Sequence, residues 1–132
     1  MNEQKGPSPP VILVVDDEML LRMLATEHFE EAGFEVIEAE NGAAALRALV
    51  ARPDIRAVFT DVQMPGRPDG FALARSVRET SPTCAIVIVS GRAAPDSAEL
   101  AEGVQFVTKP YSGSAIVSMI NAMIGRTGQP GD

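Results

Sequence analysis

The stretch Val58-Phe59-Thr60-Asp61-Val62-Gln63-Met64-Pro65 joins an apolar run to an acidic residue and then to a loop. The run, which begins at Ala57, predicts a short buried strand, and the Pro and Gly residues at 65–70 predict the loop. Asp61 is therefore expected at the carboxyl end of a central strand, partly outside the core. Open α/β sheets bind ligands at that edge. Acidic residues also end strands simply as turn formers, so the rest of the chain has to decide between the two interpretations.

The composition predicts one acidic globular domain. The chain has 132 residues, 45% hydrophobic and 22% charged, which is enough for one core and too little for a second domain. The net charge of -7 argues against DNA or RNA binding, because nucleic-acid binders need a basic surface. The single cysteine, Cys84, excludes an internal disulfide and a cysteine metal site, and its apolar neighbourhood predicts a buried side chain.

The two ends of the chain are polar or rich in proline. The sequence predicts a disordered Pro-rich tail at residues 1–10, a folded domain at residues 11–125 and a flexible C-terminal tail at residues 126–132. The N-terminus lacks the apolar segment of a signal peptide, and no apolar run reaches the ~18 residues of a membrane span. We therefore expect a cytoplasmic protein that does not contact a membrane.

Strands and helices are predicted to alternate along the chain. Continuous apolar runs at 11–15 and 85–89 predict strands covered on both faces, and more polar strands are expected at 34–39, near a sheet edge, and at 104–107. Helices are predicted at 19–32, 43–51, 70–79, 95–101 and from 112 or 114 to 124. This order favours an α/β fold with a doubly wound five-stranded parallel sheet in the order 2-1-3-4-5. Its first and third strands then flank the expected binding edge.

Three carboxylates are expected at that edge, because Asp16 and Asp17 follow the first strand and Asp61 follows the third. Two like charges 4 Å apart repel by roughly 4 kcal/mol at an effective dielectric near 20, so such a cluster favours a bound cation. Oxygen ligands without His or Cys suit Mg²⁺. The alternative is that the Asp pair only caps the first helix. The third carboxylate favours the metal interpretation.

Two other strand ends carry polar side chains. Ser90 ends the fourth strand and Lys109 the fifth; taken singly, these would be a strand-terminating hydroxyl and a solvated charge. Lys109 is, however, the only lysine in the predicted domain, since Lys5 lies in the N-terminal tail. A carboxylate, a divalent ion, a hydroxyl and an ammonium together indicate a phosphoryl-transfer site. His28, the only histidine, is expected on the surface.

Four motifs in order resemble the receiver domain of bacterial two-component response regulators, over residues 11 to about 124. They are Val14-Val15-Asp16-Asp17-Glu18, Thr60-Asp61-Val62-Gln63-Met64-Pro65, Ser90-Gly91 and Phe106-Val107-Thr108-Lys109-Pro110. The resemblance implies a flavodoxin-like receiver fold. Two departures stand out: the loop at 66–70 is one residue longer than usual, and the short segment 91–103 implies a shortened fourth helix.

The resemblance also implies a set of roles. Asp61 is the phosphoacceptor, which receives its phosphoryl group from a histidine kinase or a histidine phosphotransfer protein. Mg²⁺ is held by Asp17 and Asp61, by Asp16 largely through water, and by the backbone carbonyl of Gln63. Ser90 and Lys109 contact the phosphoryl oxygens, and Phe106 is the switch aromatic that turns inward as Ser90 moves.

The expected function is a stand-alone phosphorylation switch that acts by protein–protein contact with an unknown downstream protein, and not an enzyme on a separate substrate. Alternatives are a phosphorelay shuttle, a receiver acting in trans with a hybrid kinase and, less favoured, a Mg²⁺-dependent aspartyl-phosphate phosphatase. The apolar last helix has two interpretations of equal weight: packing against the core, or an exposed patch for a partner or for a homodimer.

Overall fold

The computed structural model of the chain describes residues 8–64, 66–91 and 103–125. Within these ranges it contains five strands and four helices. Their bounds in chain order are β1 Val11–Val15, α1 Met19–Glu31, β2 Glu35–Ala39, α2 Gly42–Ala51, β3 Ile55–Asp61, α3 Gly70–Thr80, β4 Ala85–Ser90, β5 Val104–Thr108 and α4 Gly113–Met123. The helix predicted at 95–101, and with it the shortened fourth helix, lies outside the described residues, as do residues 1–7 and 126–132.

The five strands form one parallel sheet in the order β2-β1-β3-β4-β5, which confirms the predicted α/β topology. The more polar strand β2 lies at one edge, as predicted. β1 and β3 pair from Ile12↔Ala57 to Val15↔Thr60, so the two strands end side by side. The sequence elements that follow them are therefore neighbours at the carboxyl edge of the sheet.

Two apolar clusters cover the two faces of the sheet. One contains Leu13 and Ile86 from the strands with Ala45 of α2 and Leu73 of α3. The other joins strand residues to α1 and α4 and includes Ile12, Val14, Phe29, Phe59, Ile116 and Ile120. β1 and β4 are buried along their whole length, as expected of strands covered on both faces.

Short polar residues begin three of the helices. The side chain of Asn41 accepts a hydrogen bond from the amide of Ala44, and Asp69 caps α3 in the same way. Ser112, one of the two predicted candidates, caps α4. These contacts satisfy amides that have no partner inside a helix.

The apolar residues of α1 divide between the surface and the core. Leu20, Met23 and Leu24 are exposed, whereas Phe29 is buried. The face that meets the sheet consists of Arg22, Ala25, Thr26 and Phe29, which have helical spacing and whose first member is charged. The inward stripe therefore begins with an arginine, and the apolar side chains at the start of the helix lie outside it.

The last helix, α4, packs its apolar residues against the core. Ile116 and Ile120 are buried, and Val117, Met119, Met123 and Ile124 are partly buried against the same cluster. This packing favours the core interpretation over an exposed patch. Among the described residues, the large exposed apolar side chains lie on α1, with Val50 on α2. No helix in the described ranges is long and apolar enough to cross a membrane.

Candidate functional site

A cleft of about 530 Å³ lies at the carboxyl edge of the sheet. The ends of β3, β4 and β5 and the turn after β1 supply its walls. The lining residues are Asp17, Glu18, Asp61, Gln63, Met64, Ser90, Gly91 and Lys109. Five of the seven residues predicted for the site therefore lie around one cleft, and Asp16 and Phe106 lie outside its lining.

Asp61 is the last residue of β3, and its side chain is only 14% exposed. Its Oδ2 accepts a hydrogen bond from Nζ of Lys109 at 2.9 Å, and its Oδ1 accepts one from the amide of Gln63 at 3.3 Å. The buried hydroxyl of Thr60 donates to the carbonyl of Asp61 at 2.9 Å. The carboxylate and the backbone carbonyl of Asp61 are therefore both hydrogen-bonded, which fixes the direction of the carboxylate.

The backbone after Asp61 is anchored to two neighbours. The amide of Val62 donates to the carbonyl of Val89 on β4, and the amide of Gly70 donates to the carbonyl of Val62. A Cβ added at Gly70 would lie 2.3 Å from the carbonyl oxygen of Asp61, so only glycine fits at the start of α3. In the sequence, Gly70 is predicted only as the first residue of a helix, and its contact with Asp61 is not predicted.

Lys109 and Ser90 are linked through the backbone, because the amide of Lys109 donates to the carbonyl of Ser90 at 2.8 Å. Ser90 is buried at the end of β4, where its side chain faces the cleft lining. Burial by itself lowers the pKa of Lys109, but the hydrogen bond and charge of Asp61 outweigh it, and the pKa is raised. Lys109 is therefore a fixed positive charge beside the Asp61 carboxylate.

Asp16 and Asp17 occupy different environments. Asp17 is exposed and lines the cleft, whereas Asp16 is half-buried and its Oδ1 accepts a hydrogen bond from the amide of Glu18 at 2.9 Å. Burial raises the pKa of Asp16; the Glu18 amide opposes this rise, and the charges of Asp61 and Asp17 add to it. The described residues contain no group of three or more His, Cys, Asp or Glu side chains that could hold a metal. The Asp16 carboxylate is thus held within its own turn, and its charge interacts with those of Asp61 and Asp17.

The donor set nevertheless suits Mg²⁺, which typically takes one or two carboxylates, with waters and a phosphate oxygen as its other ligands. Asp17 and Asp61 line the same cleft, and the backbone of Gln63 begins the loop beside them. The negative charge of Asp16 interacts with both members of this pair. Two carboxylates and a backbone carbonyl fit a divalent ion that takes its remaining ligands mostly from water.

Phe106 lies on β5, partly buried, and its ring stacks on the ring of Phe71 in the first turn of α3. The ring centroids are 6.3 Å apart and the planes differ by 7°. No sequence motif indicates a role for Phe71, and no spacing rule connects the two residues, since the contact forms between a helix and a strand that are distant in the chain. A second aromatic, Tyr111, packs edge-on against Phe59, and burial raises its pKa.

Three cleft residues, Glu18, Met64 and Gly91, had no predicted role. Each directly follows a predicted site residue in the sequence, and this adjacency is the signal that could have identified it. His28 is exposed, as predicted; its ring lies against Gly113, and it does not line the cleft.

Comparison with known proteins assigns the family. The family model for the response regulator receiver domain matches residues 12–121, which is most of the chain. This chain belongs to the response regulator receiver family.

Relatives of the chain include transcriptional regulators and isolated receivers. It is 35% identical over 127 residues to the phosphate regulon transcriptional regulatory protein PhoB of Pseudomonas aeruginosa, covering 92% of this chain and 54% of that protein. It is 34% identical to the transcriptional regulatory protein CseB of Streptomyces coelicolor, covering 91% of this chain and 51% of that protein. The chain thus spans about half the length of these curated relatives.

The fold also matches solved receivers. A response regulator receiver protein from Sinorhizobium medicae superposes with a TM-score of 0.84 at 29% identity, over 89% of this chain and 95% of that one. Membership of this family means phosphorylation-dependent signalling in two-component systems, with histidine kinases or phosphotransfer proteins as partners of the family. Receiver domains generally use Mg²⁺ for phosphorylation.

Proposed function

We propose that the receiver domain described here is a switch whose phosphoacceptor is Asp61 and whose output is contact with another protein. Mg²⁺ is its cofactor, held by Asp17, Asp61 and the carbonyl of Gln63, with Asp16 acting through water. The phosphoryl donor is a histidine kinase or a histidine phosphotransfer protein. The domain spans residues 11–125 in this proposal.

The observation that carries the proposal is the pair formed by Asp61 and Lys109. The Asp61 side chain is 14% exposed, its carboxylate accepts two hydrogen bonds, and a third holds its backbone carbonyl. A carboxylate oriented in this way and facing an open cleft is suited to attack an incoming phosphorus atom. Lys109 is a point charge that can move from the carboxylate to a phosphoryl oxygen as negative charge accumulates there. Ser90, on the neighbouring strand end, supplies a hydroxyl on the same side.

The transfer step follows from this geometry. A carboxylate oxygen of Asp61 attacks the phosphorus of a phosphohistidine, the new O–P bond forms and the P–N bond breaks. The electron pair of the broken bond returns to the imidazole, which leaves as the neutral ring after taking a proton from solvent. Bound Mg²⁺ supplies positive charge that offsets the phosphoryl oxygens during this exchange. Hydrolysis later returns the carboxylate and releases inorganic phosphate.

The switch then depends on charge. Phosphorylation of Asp61 replaces the single negative charge of its carboxylate by up to about two on the phosphoryl group, beside a lysine that was neutralising one. Ser90 is drawn toward the phosphoryl oxygens, and Phe106 changes position against Phe71, the ring on which it stacks at 6.3 Å. This aromatic pair connects the cleft to the outer surface of α3, where a downstream partner can detect the change.

The exposed apolar face of α1 supports a helical partner. This face, Met19, Leu20, Leu21, Met23 and Leu24, is between 38% and 69% exposed and follows directly after the cleft residues Asp17 and Glu18. A phosphodonor that brings a histidine to Asp61 must cover the start of α1. An apolar helix surface on the kinase or phosphotransfer protein would bury these side chains.

The first experiment incubates the protein with Mg²⁺ and acetyl phosphate and measures acid-stable, base-labile phosphorylation. The wild type should take up one phosphoryl group, and Asp61→Asn none. Asp54→Asn is the matched control, because Asp54 is an exposed aspartate paired with Arg52 away from the cleft. Incorporation into Asp61→Asn at the wild-type level would contradict the proposal, and steady turnover of phosphomonoesters would favour the phosphatase instead.

The second experiment tests the α1 face. Leu20→Glu should slow phosphoryl transfer from a phosphorylated histidine phosphotransfer protein about tenfold or more, while phosphorylation by acetyl phosphate stays at the wild-type rate. Val50→Glu is the control, since Val50 is 84% exposed on α2. Equal slowing by both substitutions would show that the α1 face has no specific role.

A further inference from the structure

Arg22 is an unusual residue for the position it holds. It lies on the sheet-facing stripe of α1, in line with Ala25, Thr26 and Phe29, and its side chain is only 16% exposed. A charged side chain at such a position needs hydrogen-bond partners to offset its desolvation. Its partners show what it does.

The guanidinium of Arg22 bridges two parts of the chain. Its Nη1 donates to the backbone carbonyl of Asp16 at 2.8 Å, and its Nε donates to Oε1 of Glu38 at 2.9 Å. Asp16 begins the turn after β1, and Glu38 lies on the edge strand β2. Arg22, which does not line the cleft, therefore ties the acidic turn to the edge strand of the sheet.

The turn itself is fixed at three points. The amide of Asp16 donates to the carbonyl of Ala39, its carbonyl accepts from Arg22, and its side chain accepts from the amide of Glu18. Asp17, which lines the cleft, lies inside this turn. These bonds hold the residues on both sides of Asp17, so the direction of its carboxylate depends on them.

We propose that Arg22 is a positioning residue that, held by Glu38, sets the affinity of the Asp16–Asp17 turn for a divalent cation. The inference rests on the proposed function, because it assumes that the turn binds Mg²⁺. Residues that orient metal ligands typically change affinity by about 10- to 100-fold when removed. Arg22 suits this role because its planar fork can hold two acceptors at once, which a lysine ammonium does less well.

A charge effect and a geometric effect make different predictions. The positive charge of Arg22 is offset by Glu38, so its influence on the cation should come from the bond to the Asp16 carbonyl. Arg22→Met removes that bond and leaves Glu38 uncompensated, whereas Arg22→Lys keeps the charge but not the fork. A geometric role requires Arg22→Lys to restore only part of the affinity lost in Arg22→Met.

The experiment measures Mg²⁺ binding by isothermal titration calorimetry, without a phosphodonor, on the full chain. Arg22→Met should raise the Kd for Mg²⁺ by about tenfold or more, and Arg22→Lys and Glu38→Gln by smaller factors. The rate of phosphorylation by acetyl phosphate should fall at low Mg²⁺ and approach the wild-type rate at saturating Mg²⁺. Circular dichroism establishes that each variant is folded, and if Arg22→Met is not, the two milder variants carry the test.

A matched control lies at the other end of β2. Arg52 pairs with Glu35 on the same strand at 3.1 Å and with Asp54 at 2.8 Å, far from the acidic turn. Arg52→Met should leave the Kd for Mg²⁺ within about twofold of wild type.

Three outcomes overturn the inference. They are wild-type Mg²⁺ affinity in folded Arg22 and Glu38 variants, full rescue by Arg22→Lys, and equal weakening in Arg52→Met. Failure of the proposed function looks different, because the wild type would then neither bind Mg²⁺ nor take up phosphate on Asp61.

Discussion

The substitution Gly70→Ala tests how closely the loop after Asp61 is packed. The added Cβ would lie 2.3 Å from the carbonyl oxygen of Asp61 and 2.8 Å from Cα of Val62. Ordinary contact between such atoms is about 3.4 Å or more, so the backbone must move by roughly 1 Å. The hydrogen bond from Gly70 to the carbonyl of Val62 and the bond from Val62 to β4 resist that movement.

The expected cost follows from this overlap. Overpacking of this kind destabilises by about 1–3 kcal/mol, and the lower chain entropy of alanine in the unfolded state offsets about 0.4–1 kcal/mol. The net loss should be about 1–2 kcal/mol, or roughly 4–8 °C in Tm for a domain of this size. Because the atom displaced belongs to Asp61, phosphorylation by acetyl phosphate should also slow, by up to about a hundredfold for a 1 Å shift.

The assay is urea denaturation followed by circular dichroism, together with the rate of phosphate uptake. Gly91→Ala is the control, because a Cβ at Gly91 meets no atom of the described part of the chain within 4 Å. It should change the free energy of unfolding by less than about 0.5 kcal/mol. If Gly70→Ala unfolds at the same urea concentration as Gly91→Ala and is phosphorylated at the wild-type rate, the steric reasoning is refuted.

Three further predictions use pH and stacking. Burial raises the pKa of Cys84 from its ordinary 9.0 to about 11. The free energy of unfolding should therefore fall as pH rises through that interval, because the thiol of the unfolded chain has already ionised there. A free energy of unfolding that stays constant between pH 9 and 11 in urea titrations would contradict this. Burial lowers the pKa of Lys109, but the hydrogen bond and the charge of Asp61 outweigh this, so the pKa is raised in the folded protein. The stabilisation from the Lys109–Asp61 pair should therefore be complete below about pH 10.5 and be lost as pH rises through the raised pKa. That loss should be absent in Lys109→Met, and its persistence would mean that another group causes it. Phe71→Leu removes the ring stacked on Phe106 and should cost about 1 kcal/mol, measured by the same urea titration, where an unchanged midpoint would count against the stack.

Much of the site could be predicted because its residues lie at strand ends. Continuous apolar runs identify buried parallel strands, and parallel strands present their carboxyl ends at one edge. Asp61 and Lys109 lie 48 positions apart in the chain, yet each ends or follows a recognisable strand, and the structure joins them at 2.9 Å. The sheet order that brings them close is also the common one for five alternating units.

Other features had no local signature. Apolar residues follow helical spacing along α1, but Leu20 and Leu24 are exposed and the inward stripe begins with Arg22. No local pattern indicates that Arg22 can occupy an inward position, because one of its acceptors, the Asp16 carbonyl, is a backbone atom and the other, Glu38, lies 16 positions away in the chain. Asp16 and Asp17 are equally acidic neighbours, and only the turn geometry separates a half-buried carboxylate from one that lines the cleft.

The sequence by itself determined the sheet, its order and the set of groups at its carboxyl edge, since periodicity and strand ends depend on local residue types. The tertiary structure alone decided how Asp61 is held, which way Asp16 turns, which face of α1 is exposed and which ring meets Phe106. These properties depend on distances between residues far apart in the chain. Such distances are set by packing across the sheet. A hydrogen bond to a backbone carbonyl, or the absence of a Cβ at Gly70, produces no pattern along the chain from which these distances could be predicted.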